Sequence, residues 1–131
     1  LLHIADATAA AIKQAGCRRV GLLGTKFTMQ QPFYRQRLSE QHGIEVVLPT
    51  EAEQDNLHRI IYQELCQGVI DPESKQTVRK MMAGLAWQGV DGIILGCTEI
   101  GLLVAKADAA VPLFDTTLIH ARAAVELALA S

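Results

Sequence analysis

The sequence predicts an α/β fold in which a parallel, four-stranded sheet is flanked by helices. Short apolar runs typical of strands alternate with helical patterns along the whole chain of 131 residues. These runs are continuously apolar, and no two of them are joined by a tight hairpin. Both features are typical of a parallel sheet that is covered on both faces.

The first half of the chain yields two strands and two helices. An Ala-rich stretch with a glycine stop predicts a helix over residues 5–16. "RRVGLLGT" follows as a strand that ends at Gly24. "TMQQPFYRQRLSEQHG" predicts a helix with Thr28 as its N-cap and Gly43 as its C-cap, and "IEVVLP" (44–49) is the second strand.

The second half continues the alternation. "EAEQDNLHRIIYQELCQG" places its apolar residues at i, i+3, i+4 and i+8, which predicts an amphipathic helix. The next helix begins with Asp71 as its N-cap and Pro72 in its first turn. "VDGIILG" and "VPLFD" are the third and fourth strands, and "TTLIHARAAVELALA" is the closing helix.

Composition excludes several classes of function. A net charge of −2 does not favour nucleic acid or an anionic membrane as a partner. No apolar run approaches the roughly 18 residues of a membrane-spanning helix, and the chain does not open with a secretion signal. The three cysteines form no CxxC pair, so we expect no metal site, no cofactor, and a reducing, cytoplasmic location.

Four segments are expected at the carboxyl edge of the sheet, where ligands bind in parallel α/β folds. Three of them, 24–28, 96–100 and 114–117, are small or hydroxyl-rich and lead into helices, whose N-termini favour anions. The fourth is "CQGVID" (66–71). The helix after it must run back along the sheet before the third strand can start parallel to the others.

Cys97 lies at the turn from the third strand into the following helix. This position predicts a lowered thiol pKa and a role as nucleophile or base. The alternative is a buried cysteine that acts as a small apolar residue. Glu99 opposes thiolate formation unless it points away. Cys17 precedes the first strand, at the opposite edge, and is predicted to be a packing residue.

The motif "IILGCTEIGLLV" resembles the second cysteine motif of the aspartate/glutamate racemase family. The resemblance extends through "LLHIADAT", "VGLLGTKFTMQQPFYRQRL", "IIYQELCQG" and "VPLFDTTLIHARAAVELAL" and so covers essentially the whole chain. It is strongest to the enterobacterial broad-specificity amino-acid racemases. Glutamate racemases carry GCTH in this motif, so Glu99 indicates the aspartate branch.

The resemblance implies racemisation without pyridoxal phosphate, by two cysteines on opposite faces of the substrate α-carbon. Cys97 matches the second of these cysteines, and Thr98 matches the threonine that holds the α-carboxylate. Family members consist of two α/β halves. Residues 1–131 match the second half, so the chain, which opens with Leu1, is expected to be a fragment that is inactive alone. The stretch 115–131 is then expected to pack on the first half.

Several further residues are candidates for the site or its surroundings. Cys66 stands where many members have a lysine that contacts the side-chain carboxylate of the substrate, which leaves acidic selectivity open. Thr25 and Thr28 either line the substrate cleft or only cap a helix. His120 is interpreted as helix packing or a local hydrogen bond. No role is assigned to three further residues: His3, Asp6 and Glu99. A solvated helix face is expected at His58, Arg35 and Arg37.

These inferences favour an amino-acid racemase that acts on aspartate or glutamate as a homo-oligomer, such as a dimer. Two alternatives stay open. One is a related cysteine-dependent isomerase or decarboxylase of dicarboxylates. The other is a non-catalytic α/β module that binds a small acid.

Overall fold

The computed structural model describes residues 4–130, and its centre is a four-stranded sheet. All strand pairs are parallel, and the strand order is β2-β1-β3-β4. The strands are β1 (Arg19–Leu23), β2 (Glu45–Val47), β3 (Gly92–Leu95) and β4 (Leu113–Asp115). The predicted fold class is therefore confirmed.

Helices connect and cover the strands. The α-helices are α1 (Ile4–Gln14), α2 (Lys26–Gln30), α3 (Pro32–Gln36), α4 (Glu51–Gln63), α5 (Pro72–Trp87), α6 (Ile100–Leu103) and α7 (Thr116–Ala130). A π-helical turn follows α3 at Arg37–Gln41, and 3₁₀ turns lie at Leu65–Gln67 and Lys106–Asp108. No helix in the described range has the length and the apolar character that a membrane span requires.

The helical region after β1 begins earlier than predicted. Thr25, not Thr28, is the N-cap: its hydroxyl oxygen accepts the backbone N–H of Thr28 at 3.2 Å. Thr25 lies just after β1 and its backbone is still extended, so the helix starts directly after it. The region is then interrupted at Gln31, because Pro32 disfavours a helical conformation in the residue before it. Gly43 ends the region with φ of 66°, as expected of a C-terminal glycine.

Both long central helices begin with the caps that their sequences favour. Thr50 and Glu53 form a reciprocal capping box at the start of α4. Asp71 accepts the N–H of Glu73 at 2.9 Å at the start of α5, and Pro72 occupies the first turn as predicted. The start points of these helices are thus determined locally.

The two central strands, β1 and β3, form the centre of the hydrophobic core. Val20, Leu22 and Leu23 of β1 are fully buried, as are Ile93 and Ile94 of β3. Burial of each such side chain stabilises the fold by about 1.5–3 kcal/mol. The apolar faces of the surrounding helices complete the core through Ile12, Met29, Leu38, Leu57, Ile60, Ile61, Val78, Met82 and Leu85. This packing fixes the carboxyl ends of β1 and β3 relative to each other.

Helix α7 packs along α1, but most of its surface is open. Thr116 is its buried residue, while Leu118, Val125 and Leu129 are exposed. The expectation that 115–131 packs on another domain stays a prediction.

A charged cluster ties α1 to the π-helical turn. The Arg37 guanidinium donates to both carboxylate oxygens of Asp6 at 2.9 and 2.8 Å, and Nε2 of His42 donates to the same carboxylate at 2.8 Å. Lys13 Nζ donates to Nδ1 of His42 at 3.0 Å. Arg37, and then His42, hold the pKa of the Asp6 carboxyl well below its usual range. The expected solvated face is therefore wrong for Arg37, which is in an ion pair.

Candidate active site

The crevice expected of an open α/β sheet lies between β1 and β3. The chain moves from β1 to β2 on one side and then crosses to β3 on the other, so the strand order reverses at this pair. Ligands bind at such a switch point, outside the carboxyl ends of the strands. The segments that begin with Gly24 and Gly96 therefore border the expected ligand position.

Glycines allow these two segments to approach closely. The Gly96 N–H donates to the Leu23 carbonyl at 2.7 Å. A Cβ atom on Gly96 would lie 3.2 Å from that carbonyl oxygen and 3.3 Å from the Thr28 methyl group, and one on Gly24 would also meet Thr28 at 3.3 Å. The Thr28 side chain therefore packs between the two glycines. Its position is directly beside the residue that precedes Cys97.

Cys97 forms a hydrogen bond with the carboxylate that follows it by two residues. Its Sγ donates to Oε2 of Glu99 at 2.8 Å, and the thiol is half-buried. Burial, and then the bond to Glu99, raise the pKa of the Cys97 thiol to about 11, and only a weaker backbone hydrogen bond from Glu99 opposes them. The predicted lowering of this pKa is therefore wrong. The helix α6 has only four residues, so its N-terminus contributes little against the carboxylate.

Glu99, which accepts this hydrogen bond, is the charged member of the pair. Its hydrogen bond with Cys97 lowers the pKa of the Glu99 carboxyl, so this group is ionised near neutral pH. The pair thus consists of a protonated thiol and an ionised carboxylate that accepts its hydrogen bond. Chemically, this arrangement can deliver a proton from sulfur to a strongly basic atom of a bound molecule.

Hydroxyl groups lie next to the thiol on the β4 side. Thr98 and Thr117 are both exposed, and their hydroxyl oxygens are 2.8 Å apart. Thr117 belongs to the first turn of α7, where Oδ1 of Asp115 accepts its backbone N–H at 3.0 Å. The buried Thr116 donates its hydroxyl to the Leu95 carbonyl at 3.2 Å and so attaches α7 to the end of β3.

The other predicted binding residues border the same edge. Thr25 and Thr28 are half-buried, and their hydroxyl oxygens are 3.0 Å apart. Cys66 is exposed in the 3₁₀ turn Leu65–Gln67, which packs against α6. A charge on Cys66 acts on Cys97, which lies on the same side of the molecule. The structure therefore brings all the predicted site residues to one edge, and their contacts with a substrate stay predictions.

Other residues of interest take different positions. Asp6 is engaged in its cluster with Arg37, and His3 lies outside the described residues. Nδ1 of His120 is buried without a hydrogen-bond partner within residues 4–130, so the expected local hydrogen bond through this atom does not form. His58 is half-buried and accepts the Lys26 backbone N–H at 3.0 Å, which corrects its interpretation as a solvated residue.

Cys17 lies at the opposite edge, as predicted for a packing residue. It is buried, and its Sγ donates to the Asp91 carbonyl at 3.2 Å. Beside it is a hollow of about 450 Å³, lined in part by Lys13, Arg18 and His42. No group of three or more metal-binding side chains occurs in the part of the chain that the structure describes.

The fold and the site together define a class: parallel α/β proteins with a thiol and a carboxylate at the topological switch point. The sequence identifies the family within this class. Residues 1–124 match the model of the Asp/Glu/Hydantoin racemase family. The chain therefore belongs to the Asp/Glu racemase family.

Known relatives agree with this assignment. A crystal structure of a Yersinia pestis protein, named as a candidate Asp/Glu racemase, is 57% identical with a TM-score of 0.95 over 98% of this chain and 56% of that one. An aspartate racemase homologue from Pyrococcus horikoshii OT3 is 42% identical, with a TM-score of 0.89 over 97% of this chain and 55% of that one. The chain thus spans little more than half the length of these structures.

More distant similarity supports the fold. Picrophilus torridus aspartate racemase has a TM-score of 0.73 at 23% identity, over 97% of this chain and 52% of that one. An uncharacterised protein of Pectobacterium carotovorum subsp. carotovorum is 33% identical over 104 residues, which are 79% of this chain and 67% of that protein.

Proposed function

We propose that this chain is the second half of a pyridoxal-independent racemase of aspartate or glutamate, in which Cys97 transfers a proton at one face of the substrate α-carbon. The observation that supports this most is the 2.8 Å hydrogen bond from Cys97 Sγ to Glu99 at the switch point of the sheet. Membership of the Asp/Glu racemase family and a 42% identical aspartate racemase homologue favour this chemistry.

The proposed proton transfer uses Cys97 first as an acid. A thiolate on the opposite face of the substrate takes the α-proton: the C–H bond breaks, an S–H bond forms, and a carbanion results. The Cys97 S–H bond then breaks as its proton moves to the other face of the carbon. A pKa of about 11 suits this role, because Cys97 holds its proton until a strongly basic carbanion is present.

The reverse reaction requires Cys97 as a base. Donation of its proton to the carbanion leaves Cys97 as a thiolate, and this thiolate removes the α-proton of the other enantiomer. The lowered pKa of the Glu99 carboxyl keeps its charge in place, and that charge makes the adjacent thiolate a stronger base. In this proposal the opposing thiol belongs to another α/β half, so the chain alone is inactive.

The substrate is proposed to lie between the two halves. Thr98 is exposed at the edge and is proposed to bind the α-carboxylate, while Thr25 and Thr28 border the crevice on the β1 side. Cys66 is proposed to face the substrate side chain from the turn that packs against α6. The exposed apolar surface of α7 is proposed to pack on the other half. A homo-oligomer and a cytoplasmic location stay predictions.

Deuterium exchange tests this function in the natural protein that contains the chain. In deuterated water the Cys97 thiol exchanges with solvent, so racemisation of L- or D-aspartate should place deuterium at the α-carbon of the product. Cys97→Ala should abolish racemisation, and exchange should survive from one enantiomer at most. Cys17→Ala is the matched control and should retain exchange from both.

Three results would contradict the proposal. Exchange from both enantiomers in Cys97→Ala would remove Cys97 from the chemistry. A wild-type protein that exchanges no amino acid, but isomerises or decarboxylates a dicarboxylate, would support the related cysteine-dependent enzymes instead. Binding of a small acid without turnover would support the non-catalytic module.

A further inference from the structure

We propose that Thr117 is a positioning residue that orients the Thr98 hydroxyl toward the substrate carboxylate. The inference rests on the proposed function, because it assumes that Thr98 binds that carboxylate. Thr98 follows β3 and Thr117 begins α7, 19 residues later. Their hydroxyl oxygens are nevertheless 2.8 Å apart, the usual distance for a hydrogen bond between two hydroxyls.

The number of hydrogens that the two hydroxyls can donate decides how they can bind a carboxylate. Each hydroxyl has one hydrogen to donate and two lone pairs to accept with, whereas a carboxylate can only accept. If Thr117 donates to Thr98, the Thr98 hydrogen is free for the carboxylate. Thr98 is the residue directly after Cys97, so it is the member of the pair closer in the chain to the reacting sulfur. A relay from Thr117 through Thr98 to the anion polarises both bonds in the same direction.

The backbone N–H groups at the start of α7 already have an acceptor, so the hydroxyls remain to bind the substrate carboxylate. Oδ1 of Asp115 accepts the N–H groups of Thr117 and Leu118 at 3.0 and 3.2 Å. These amides, which would otherwise bind an anion, are already occupied by a carboxylate of the protein. The Thr117 hydroxyl thus remains as a donor that its own backbone does not use.

The position of Thr117 is fixed by its neighbour. Thr116 is buried, with 4% of its surface exposed, and its hydroxyl donates to the Leu95 carbonyl at the end of β3. Cys97 and Thr98 leave the sheet from that same strand end. The attachment of Thr116 therefore keeps the adjacent Thr117 near Thr98 in addition to the bond between the two hydroxyls, as a positioning residue requires.

Kinetics of the natural protein that contains this chain test the proposal. Thr117→Val keeps the shape of the side chain and should lower kcat/KM for aspartate about fivefold, the usual effect of losing one neutral hydrogen bond. Thr117→Ser should stay within twofold of wild type. Thr98→Val should have the larger effect, and Thr98→Val with Thr117→Val should equal Thr98→Val alone, because the relay acts only through Thr98.

A purely structural role for Thr117 predicts different results. Full additivity in the double variant, or no rescue by serine, would overturn the proposal, as would an unchanged kcat/KM in Thr117→Val. The urea unfolding midpoint of each variant identifies losses that come from unfolding.

Calorimetric binding of L-aspartate separates this inference from the proposed function. If the wild type binds aspartate but racemises neither aspartate nor glutamate, the proposed function fails. Roughly fivefold weaker binding by Thr117→Val, restored by serine, would then still support the relay. Equal binding by wild type and Thr117→Val, or no binding by the wild type, would overturn the relay.

Discussion

Cys17 and Cys97 lie at opposite edges of the same sheet, and burial raises the pKa of both thiols. A nearby carboxylate adds to the rise in each case: Asp91 for Cys17 and Glu99 for Cys97. The acceptors of the two S–H groups differ. Cys17 donates to a backbone carbonyl at 3.2 Å, whereas Cys97 donates to a carboxylate oxygen at 2.8 Å.

This difference separates a structural thiol from one that can exchange its proton. A peptide carbonyl accepts a hydrogen bond, but it is far too weak a base to take the proton. A carboxylate is a stronger base, and its charge makes the neighbouring thiolate, once formed, a stronger base as well. A raised thiol pKa therefore does not distinguish the proposed catalytic cysteine from Cys17, whereas the acceptor of its S–H group does.

Replacing the carboxylate beside each cysteine, Asp91 or Glu99, should have the largest effect on the difference between the two thiols. Glu99→Gln carries no charge to strengthen the Cys97 thiolate as a base, so racemisation should fall about 100-fold, the lower end of what general acid–base catalysis contributes. The pKa of Cys97 should fall below about 11 yet stay above its ordinary value of 9.0, because burial is the larger cause of its rise. Turnover and the pH dependence of alkylation by iodoacetamide measure both effects.

Asp91→Asn is the matched control at the amino edge, the edge of the sheet opposite the carboxyl ends of the strands, where Cys17 lies. It should lower the pKa of Cys17 and leave turnover within twofold, since Cys17 takes no part in the proposed chemistry. A loss of turnover comparable with that of Glu99→Gln would remove the distinction between the two edges.

The amino edge should respond to mutation through stability. A Cβ atom on Gly92 would lie 2.7 Å from the Phe114 ring and 3.4 Å from Cys17 Sγ. Gly92→Ala should therefore lower the free energy of unfolding by about 2 kcal/mol, as overpacking does. Gly84 is exposed in α5 with open space at its Cβ position, so Gly84→Ala should raise that free energy by about 0.5–1 kcal/mol.

Urea unfolding measures both changes. The folded fraction of Gly92→Ala should retain the wild-type turnover. A lowered turnover per folded molecule would show that the amino edge also affects the chemistry.

Substitution of two helix-capping residues at the carboxyl edge should distinguish an effect on stability from an effect on substrate binding. Thr25 and Thr50 each accept a backbone N–H at 3.2 Å at the start of a helix. Thr25→Ala and Thr50→Ala should each lower the free energy of unfolding by about 1 kcal/mol. Only Thr25→Ala should also raise KM, because Thr25 borders the proposed substrate crevice. Equal KM values in the two variants would show that Thr25 only caps its helix.

The smallest expected effect is the acid response of the Asp6 cluster. The pKa of the Asp6 carboxyl is lowered from an ordinary value of 3.8 by Arg37 and then by His42. A depressed folded-state pKa stabilises the fold above about pH 3.8, and this contribution is lost as the pH falls below that value. Asp6→Asn should therefore show a flatter loss of stability between pH 5 and pH 3, as measured by urea midpoints.

Glu40→Gln is the comparison for Asp6→Asn, because Glu40 is an exposed carboxyl on the adjacent π-helical turn. An equally flattened curve in Glu40→Gln would show that the effect is not specific to the Asp6 cluster.

Much of the fold follows from local sequence. The strands are continuous apolar runs, and the caps at Thr50 and Asp71 lie next to the helices that they start. The carboxyl edge follows in turn, because a parallel sheet places the carboxyl ends of all its strands together. The sequence therefore predicts that Cys97, Thr98 and the turn at Cys66 lie on one side of the molecule.

Features that depend on side-chain direction could not be predicted in this way. The turn after Cys97 is irregular, so no periodicity shows whether Glu99 points toward the thiol. Two threonines lie three residues apart at the start of α2, and the end of β1 decides which one caps. Asp6 pairs with Arg37 and His42, which are 31 and 36 residues away, so no local pattern indicates the cluster.

The open side of α7 affects how the chain behaves in concentrated solution. Leu118, Val125 and Leu129 are more than half exposed, and the net charge of the chain is only −2. Repulsion between copies is therefore weak, and added salt screens what remains. Light scattering from the isolated chain should rise with both protein concentration and ionic strength, and polar substitutions on this side of α7 should suppress that rise.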